Sequence, residues 1–271
     1  MADGHSAAAR WWEQRRPRPV LMSVHARVCV SGISTWNQSI ADDLALYEEL
    51  GIHTIGASLR KLSSGDDIDR LANSELRVAN VIGVGHTGLA DAVDVARRLS
   101  APAIVFTTGP AGALSWEDAA DRLDAALVAI PRRPVQLCLE HTNSLRVDVS
   151  FVHTLRDAID LASRLGIDVC MEINACWAER DLTRTISAGI DRIGIVQVSD
   201  FAVGTLSTPN RLVPGDGDVP LRRIIGELLE AGYTGVFELE LVGPAIEAEG
   251  YRGAIGRSCA YLSELLSDLG A

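Results

Sequence analysis

Apolar residues along this chain fall into two alternating rhythms. From Arg27 onward, short runs rich in Val, Ile, Leu and Cys are separated by longer stretches in which apolar positions recur every three or four residues. The first rhythm fits buried strands and the second amphipathic helices. Strands are expected at Val28–Ile33, Thr54–Ala57, Arg77–Ile82, Ala103–Thr107, Val135–Glu140, Asp168–Ile173, Ile193–Val198 and Val236–Leu241. Helices are expected at Ser39–Leu50, Asp66–Asn73, Leu89–Leu99, Ser115–Ile130, Asp148–Leu165, Asp181–Ala188, Leu221–Ala231 and Tyr251–Leu269. Gly51, Pro131 and Gly166 supply stops, while Ser115 with Asp118, and Asp148 before Phe151, supply capping starts. Eight βα units predict an α/β fold of one domain, a (β/α)8 TIM barrel over residues 26–271 with a short N-terminal arm at 1–25. A doubly wound sheet would want a glycine-rich phosphate loop after its first strand, and Ser31-Gly32-Ile33-Ser34-Thr35-Trp36 is not one.

Composition narrows the partners. A formal charge of −11 argues against nucleic acid, whose phosphates are held by clustered Lys and Arg. The arm, with Trp11, Trp12 and the Arg15–Pro19 run, has no apolar core of a secretory signal, and no stretch has the length of a membrane span. Five cysteines, odd in number and without CxxC spacing, fit thiols buried in a reducing cytoplasm. The expectation is a cytoplasmic protein acting on a small molecule, either alone or as a homo-oligomer.

Four consecutive strands then end on an oxygen-bearing side chain: Glu140, Glu172, Gln197, and the pair Glu238 and Glu240. Barrel strands point alternate side chains into the lumen, and loops after their C-terminal ends build the site. Glu238 and Glu240 share a face, with Glu240 nearer the mouth and Glu238 left to support it. Three ionised carboxylates in one lumen would repel, so together with the Gln197 amide oxygen they suggest an all-oxygen cage for a divalent metal, Mn2+ or Mg2+. Trp36 and Trp177, after strands one and six, offer aromatic faces that could pack on a bound ligand, and His86, His141 and Arg211 are further candidates for binding substrate.

Taken together, Ile33-Ser34-Thr35-Trp36-Asn37, Leu46–Ile52, the strand-end Glu140, Val196–Phe201, Pro214–Pro220 and Gly232–Gly235 before Glu238–Leu241 resemble the xylose isomerase-like TIM barrels, a family of sugar phosphate isomerases and epimerases. The resemblance covers nearly everything after about residue 25. It implies a metal held by Glu140, Glu172, residue 197 and Glu240, with Glu140 and Glu240 doubling as the acid/base pair. Residue 197 is where the chain departs, holding Gln in place of the family's His.

What this implies is a metal-dependent isomerase or epimerase in carbohydrate metabolism, acting on a sugar or keto-polyol by α-proton abstraction through an enediolate. Two alternatives stay open. One is a lyase or dehydratase that expels a leaving group from a keto-sugar or keto-glycoside after the same first step. The other is a barrel that binds a ligand or partner without catalysis, having lost its metal His.

Overall fold

The computed structural model describes residues 23–131 and 133–271, so residues 1–22 of the expected arm lie outside the described residues. Eight parallel strands close in sequence order, β1 (Val28–Ser31), β2 (Thr54–Ser58), β3 (Arg77–Gly85), β4 (Ala103–Thr107), β5 (Gln136–Glu140), β6 (Asp168–Glu172), β7 (Ile193–Val198) and β8 (Phe237–Leu239). The seam pairs Val28 with Phe237 and Val30 with Leu239. Outside the strands run α1 (Ile40–Leu50), α2 (Gly65–Ala72), α3 (Leu89–Arg98), α4 (Trp116–Leu127), α5 (Leu155–Leu165), α6 (Leu182–Gly189), α7 (Leu221–Glu230) and α8 (Tyr251–Asp268). The fold is the expected (β/α)8 barrel. No described helix is long and apolar enough to cross a membrane.

Strand parity divides the core in two. On β4, Ile104 and Phe106 join the large apolar shell between barrel and helices. Ala103 and Val105 point the other way and join Ile82, Cys138, Cys170 and Ile195 in a small core inside the lumen. All five cysteines are free and buried. Two residues beyond Cys138, Cys170 and Ile195 come Glu140, Glu172 and Gln197, so each polar group caps its own apolar column at the mouth.

Two boundaries that shape the mouth differ from expectation, each for a local reason. The helix expected from Asp148 begins only at Leu155, where the Thr154 hydroxyl caps the Asp157 amide, while the Asp148 carboxylate is taken by Arg146. Residues 141–154 are therefore a loop on the mouth. The last strand stops at Leu239, leaving Glu240 just beyond it, though the Glu240 amide still donates to Val198 O at 3.1 Å.

Across the lumen the Glu238 side chain reaches from β8 towards β2 because residue 56 has no side chain. A Cβ there would lie 1.9 Å from Glu238 Oε1 and 3.0 Å from the Asn80 amide. Gly56→Ala is expected to lower unfolding stability by about 1–3 kcal/mol through overpacking. Gly226→Ala, on α7 with its nearest neighbour at 3.9 Å, should instead be neutral or stabilising by up to about 1 kcal/mol. Denaturant melts of the two variants beside the parent check both.

Candidate active site

Glu140, Glu172 and Glu240 converge at the C-terminal mouth, each offering one oxygen to a group that spans no more than 4.8 Å. Each comes from a different strand end, and Glu172 and Glu240 are fixed by contacts behind them. Glu172 closes β6 and caps the short helix Ile173–Cys176, its Oε1 accepting from the Asn174 amide at 3.0 Å. Its own amide donates to His141 Nε2 at 3.2 Å. The Ser34 hydroxyl straddles Glu240, donating to Leu239 O at 3.1 Å and accepting from the Leu241 amide at 2.9 Å.

Arg211 enters the cluster from the loop after β7. Its guanidinium pairs with Glu172 Oε2 at 2.6 Å and with Glu240 Oε1 at 3.0 Å, and it donates to Glu240 O at 3.3 Å. The loop that carries it is organised by Asp200. One Asp200 oxygen accepts from the Phe201 and Val219 amides at 2.8 and 3.0 Å, and the other from the Gly215 amide at 2.8 Å. The Asp200 and Leu212 backbones exchange hydrogen bonds of 3.0 and 2.9 Å, so residue 211 leaves the bridge aimed at the lumen.

Electrostatics follow from burial. Burial first, then the Glu240 and Glu172 charges, push the Glu140 carboxyl well above the usual range. Glu172 is pushed by burial to about 7, against the lowering pull of Arg211. Burial would depress the Arg211 guanidinium, but Glu172, Glu240 and Glu140 hold it raised. When all three carboxylates are ionised, Arg211 leaves the cluster with two uncompensated negative charges. Glu240 Oε2 and Gln197 Oε1 are buried without a hydrogen-bond partner among the described residues. An all-oxygen set with that charge and those open acceptors fits a hard divalent cation.

The remaining candidates sort by position. Gln197 pairs in register with Glu172 and with Glu238, and its Nε2 donates to Glu238 Oε2 at 3.3 Å. Glu238 also accepts from Asn80 Nδ2 at 2.9 Å and lies against Cys29 Sγ at 3.8 Å, and burial raises it to about 7. Trp36 and Arg211 line a cavity of about 930 Å3 over the cluster. His141, His86 and Trp177 are not among its lining residues. His141 has the outward parity of β5, is fully buried and is lowered by burial to about 3, so it serves as a neutral acceptor behind Glu172. His86 sits half-buried against Gly109, and Trp177 packs on the outer core. Arg60, Ser34, Asn80 and Asp200 are neighbours of the candidate site that sequence reasoning missed. Of these only Asp200 carried a visible signal, an acid at a strand end three residues past Gln197.

Residues 84–262 match the sequence profile of the xylose isomerase-like TIM barrel family. The chain belongs to that family. Among solved structures of this fold, protein SMc04130 from Sinorhizobium meliloti 1021 is 19% identical with a TM-score of 0.76, covering 90% of this chain and 98% of that one. An IOLI protein with a bound zinc atom is 16% identical with a TM-score of 0.74, covering 90% and 99%. D-Psicose 3-epimerase from Clostridium cellulolyticum H10, solved with D-tagatose, is 14% identical with a TM-score of 0.63, covering 90% and 99%. No curated protein sequence matches the chain. At these identities the likeness shows the xylose isomerase-like fold, and the chemistry has to come from this chain's residues.

The raised carboxyls set a pH dependence. Glu172 and Glu238, each near 7 when folded against 4.5 when exposed, keep protons in the metal-free folded state that the unfolded chain has already released. Their contribution to stability is full below about pH 4.5 and is lost as pH rises through about 7. Metal-free protein should therefore be less stable to denaturant at pH 8 than at pH 5.5 by more than about 1 kcal/mol. Saturating Mn2+ should stabilise more at pH 8, because it selects the ionised carboxylates.

Proposed function

We propose that this barrel is a divalent-metal-dependent isomerase or epimerase of a sugar or keto-polyol, acting by α-proton abstraction through an enediolate. The observation that carries the reading is the convergence of Glu140, Glu172 and Glu240 within 4.8 Å beside buried oxygens that lack partners. Glu140, Glu172 and Glu240 would hold the ion, with Gln197 Oε1 as a neutral fourth donor. A hard oxygen set favours Mn2+ or Mg2+. When bound, such an ion supplies Lewis-acid polarisation of a substrate carbonyl, which acidifies the adjacent C–H.

The protein's own groups do the rest. Glu240, whose backbone is clamped by Ser34 and whose Oε1 is held by Arg211, removes the α-proton. Glu140 returns a proton to the opposite face or the adjacent carbon. Arg211 fixes the angle between Glu172 and Glu240 and presents N–H donors to substrate oxygens at the cavity floor. Five free, buried cysteines and the formal charge of −11 support a cytoplasmic setting and a small-molecule substrate.

Two experiments test this reading. Proton NMR in D2O over a panel of ketoses should show α-proton exchange by the Mn2+-supplied protein. Glu140→Gln or Glu240→Gln should slow exchange by about 10²–10⁴-fold with the fold intact by circular dichroism. Metal content measured on the same samples separates lost proton transfer from lost metal. Release of a leaving group in place of exchange would assign the lyase reaction, and absence of both with metal bound would remove the catalytic reading. Separately, Gln197→His should tighten Zn2+ and Co2+ binding and add a titration step near pH ~6.5 that an amide cannot show. A variant with unchanged affinities and pH profile would strike Gln197 from the ligand set.

A further inference from the structure

Three arginines line the cavity, and two of them are already committed. Arg211 is paired with Glu172 and Glu240, and Arg146 grips Asp148 with hydrogen bonds of 3.0 and 3.2 Å. The third, Arg60, forms no ion pair with any described carboxylate. Its guanidinium lies over the ring of Trp36, 3.7 Å from the centroid. Both residues line the cavity, and Trp36 is 42% exposed. A stacked guanidinium keeps its in-plane N–H groups free, which is the arrangement that grips a carboxylate or phosphate edge-on.

The stacking is built in from below. Lys61, next in sequence to Arg60, donates to Thr35 O at 2.9 Å and to Thr35 Oγ1 at 2.8 Å, and it pairs with Asp43. Thr35 immediately precedes Trp36. The Lys61 and Asp43 side chains are each only 4% exposed, and Thr35 Oγ1 also meets the Tyr47 hydroxyl at 3.3 Å. This buried network ties the loop after β1 to the loop after β2. Its geometric result is that the residue adjoining each anchor, Trp36 after Thr35 and Arg60 before Lys61, is delivered to the same spot on the rim.

Position gives the pair a role. In a closed ring of eight strands, β2 and β6 stand four steps apart, so Arg60 and Glu172 rise from opposite walls. Glu140, Glu172 and Glu240 line the same cavity as Trp36 and Arg60, so a substrate reacting over the carboxylates and long enough to cross it would meet that pair. The protein carries a formal charge of −11, and its cavity floor is acidic, so an anionic substrate gains nothing from the general field and needs a dedicated cation placed away from the floor.

We propose that Arg60, held flat on Trp36, is the residue that binds an anionic group, a carboxylate or a phosphate, at the distal end of the substrate. The inference rests on reading this cavity as the isomerase or epimerase site and narrows its substrates to anionic keto-sugars.

Calorimetric titration of the full-length chain supplied with Mn2+ tests it, using three ketoses that differ only at one terminal carbon: D-fructose, D-fructuronate and D-fructose 6-phosphate. At least one of the two anions should bind about tenfold or more tighter than D-fructose. Tighter fructuronate assigns a carboxylate, and tighter fructose 6-phosphate assigns a phosphate. In Arg60→Gln that ratio should collapse to about onefold, with Arg60→Lys between, since Lys keeps the charge and loses the planar stack. Raising NaCl to 0.3 M should weaken anion binding several-fold in the parent and barely change it in Arg60→Gln. Equal affinities for neutral and anionic ketoses, no measurable binding of either anion, or a ratio untouched by Arg60→Gln would each overturn the proposal. Anion preference without α-proton exchange would retain Arg60 and remove the isomerase reading, whereas exchange without anion preference would do the reverse.

Discussion

Like charge confined in a closed barrel governs this structure. Closure of β8 on β1 leaves the lumen no room to let its acidic side chains drift apart, and Glu140, Glu172 and Glu240 face one another with oxygens within 4.8 Å. Two of the three are tied to a single guanidinium, and the third, Glu140, has its carboxyl pushed well above the usual range by burial and by the other two charges. Such an arrangement opposes folding, because burial and mutual repulsion both penalise the charged form. It persists because the apolar shell between strands and helices is large and continuous from Val28 to Leu266. Function here draws on stability generated elsewhere in the fold.

Holding repelling groups close together requires restraint from behind, and Glu172, Glu240 and Arg211 have it. His141 accepts from the Glu172 amide, Ser34 clamps the peptides on both sides of Glu240, and Asp200 gathers three amides of the loop that aims Arg211. None of these groups touches the cavity centre. Each turns a flexible strand end into a fixed bearing, which is what proton transfer between set atoms requires. Glu238 and Gln197 extend the same restraint inward. Asn80, Gln197 and Cys29 surround Glu238 so that a buried acid inside the barrel has partners on three sides.

The strand ends were readable in the sequence because parity is local. Glu140, Glu172 and Gln197 stand two residues past lumen-facing Cys138, Cys170 and Ile195, and no knowledge of tertiary structure is needed to see an apolar column interrupted by an acid. The same parity predicts that His141 faces away, and the buried ring behind Glu172 is where it lands. Arg60 was invisible for the opposite reason. An arginine in a short turn after a strand looks like ordinary solvated charge until the Lys61–Thr35 link, between loops 26 residues apart, sets it on Trp36. The late start of α5 was equally hidden, since Asp148 has the right type for a cap but is captured by Arg146 two residues earlier. Competition for a side chain between two local partners leaves no trace in hydrophobic period.

The two ends of the barrel differ in how their polar groups are partnered. At the N-terminal end Arg27 donates to Gly235 O and Tyr233 O at 2.9 and 2.8 Å and packs against the Tyr233 and Phe237 rings. There His25 ties the incoming chain to Ser263 and to the final carbonyl at Ala271. These contacts close and stabilise that end. At the other end Glu240 Oε2 and Gln197 Oε1 are buried with nothing to accept from, beneath a cavity large enough for a ligand. A buried acceptor without a donor costs about 1–3 kcal/mol, so a fold that tolerates two at one end is poised to gain that much from whatever cation or donor arrives there. The mouth of the barrel is therefore where binding energy is to be had.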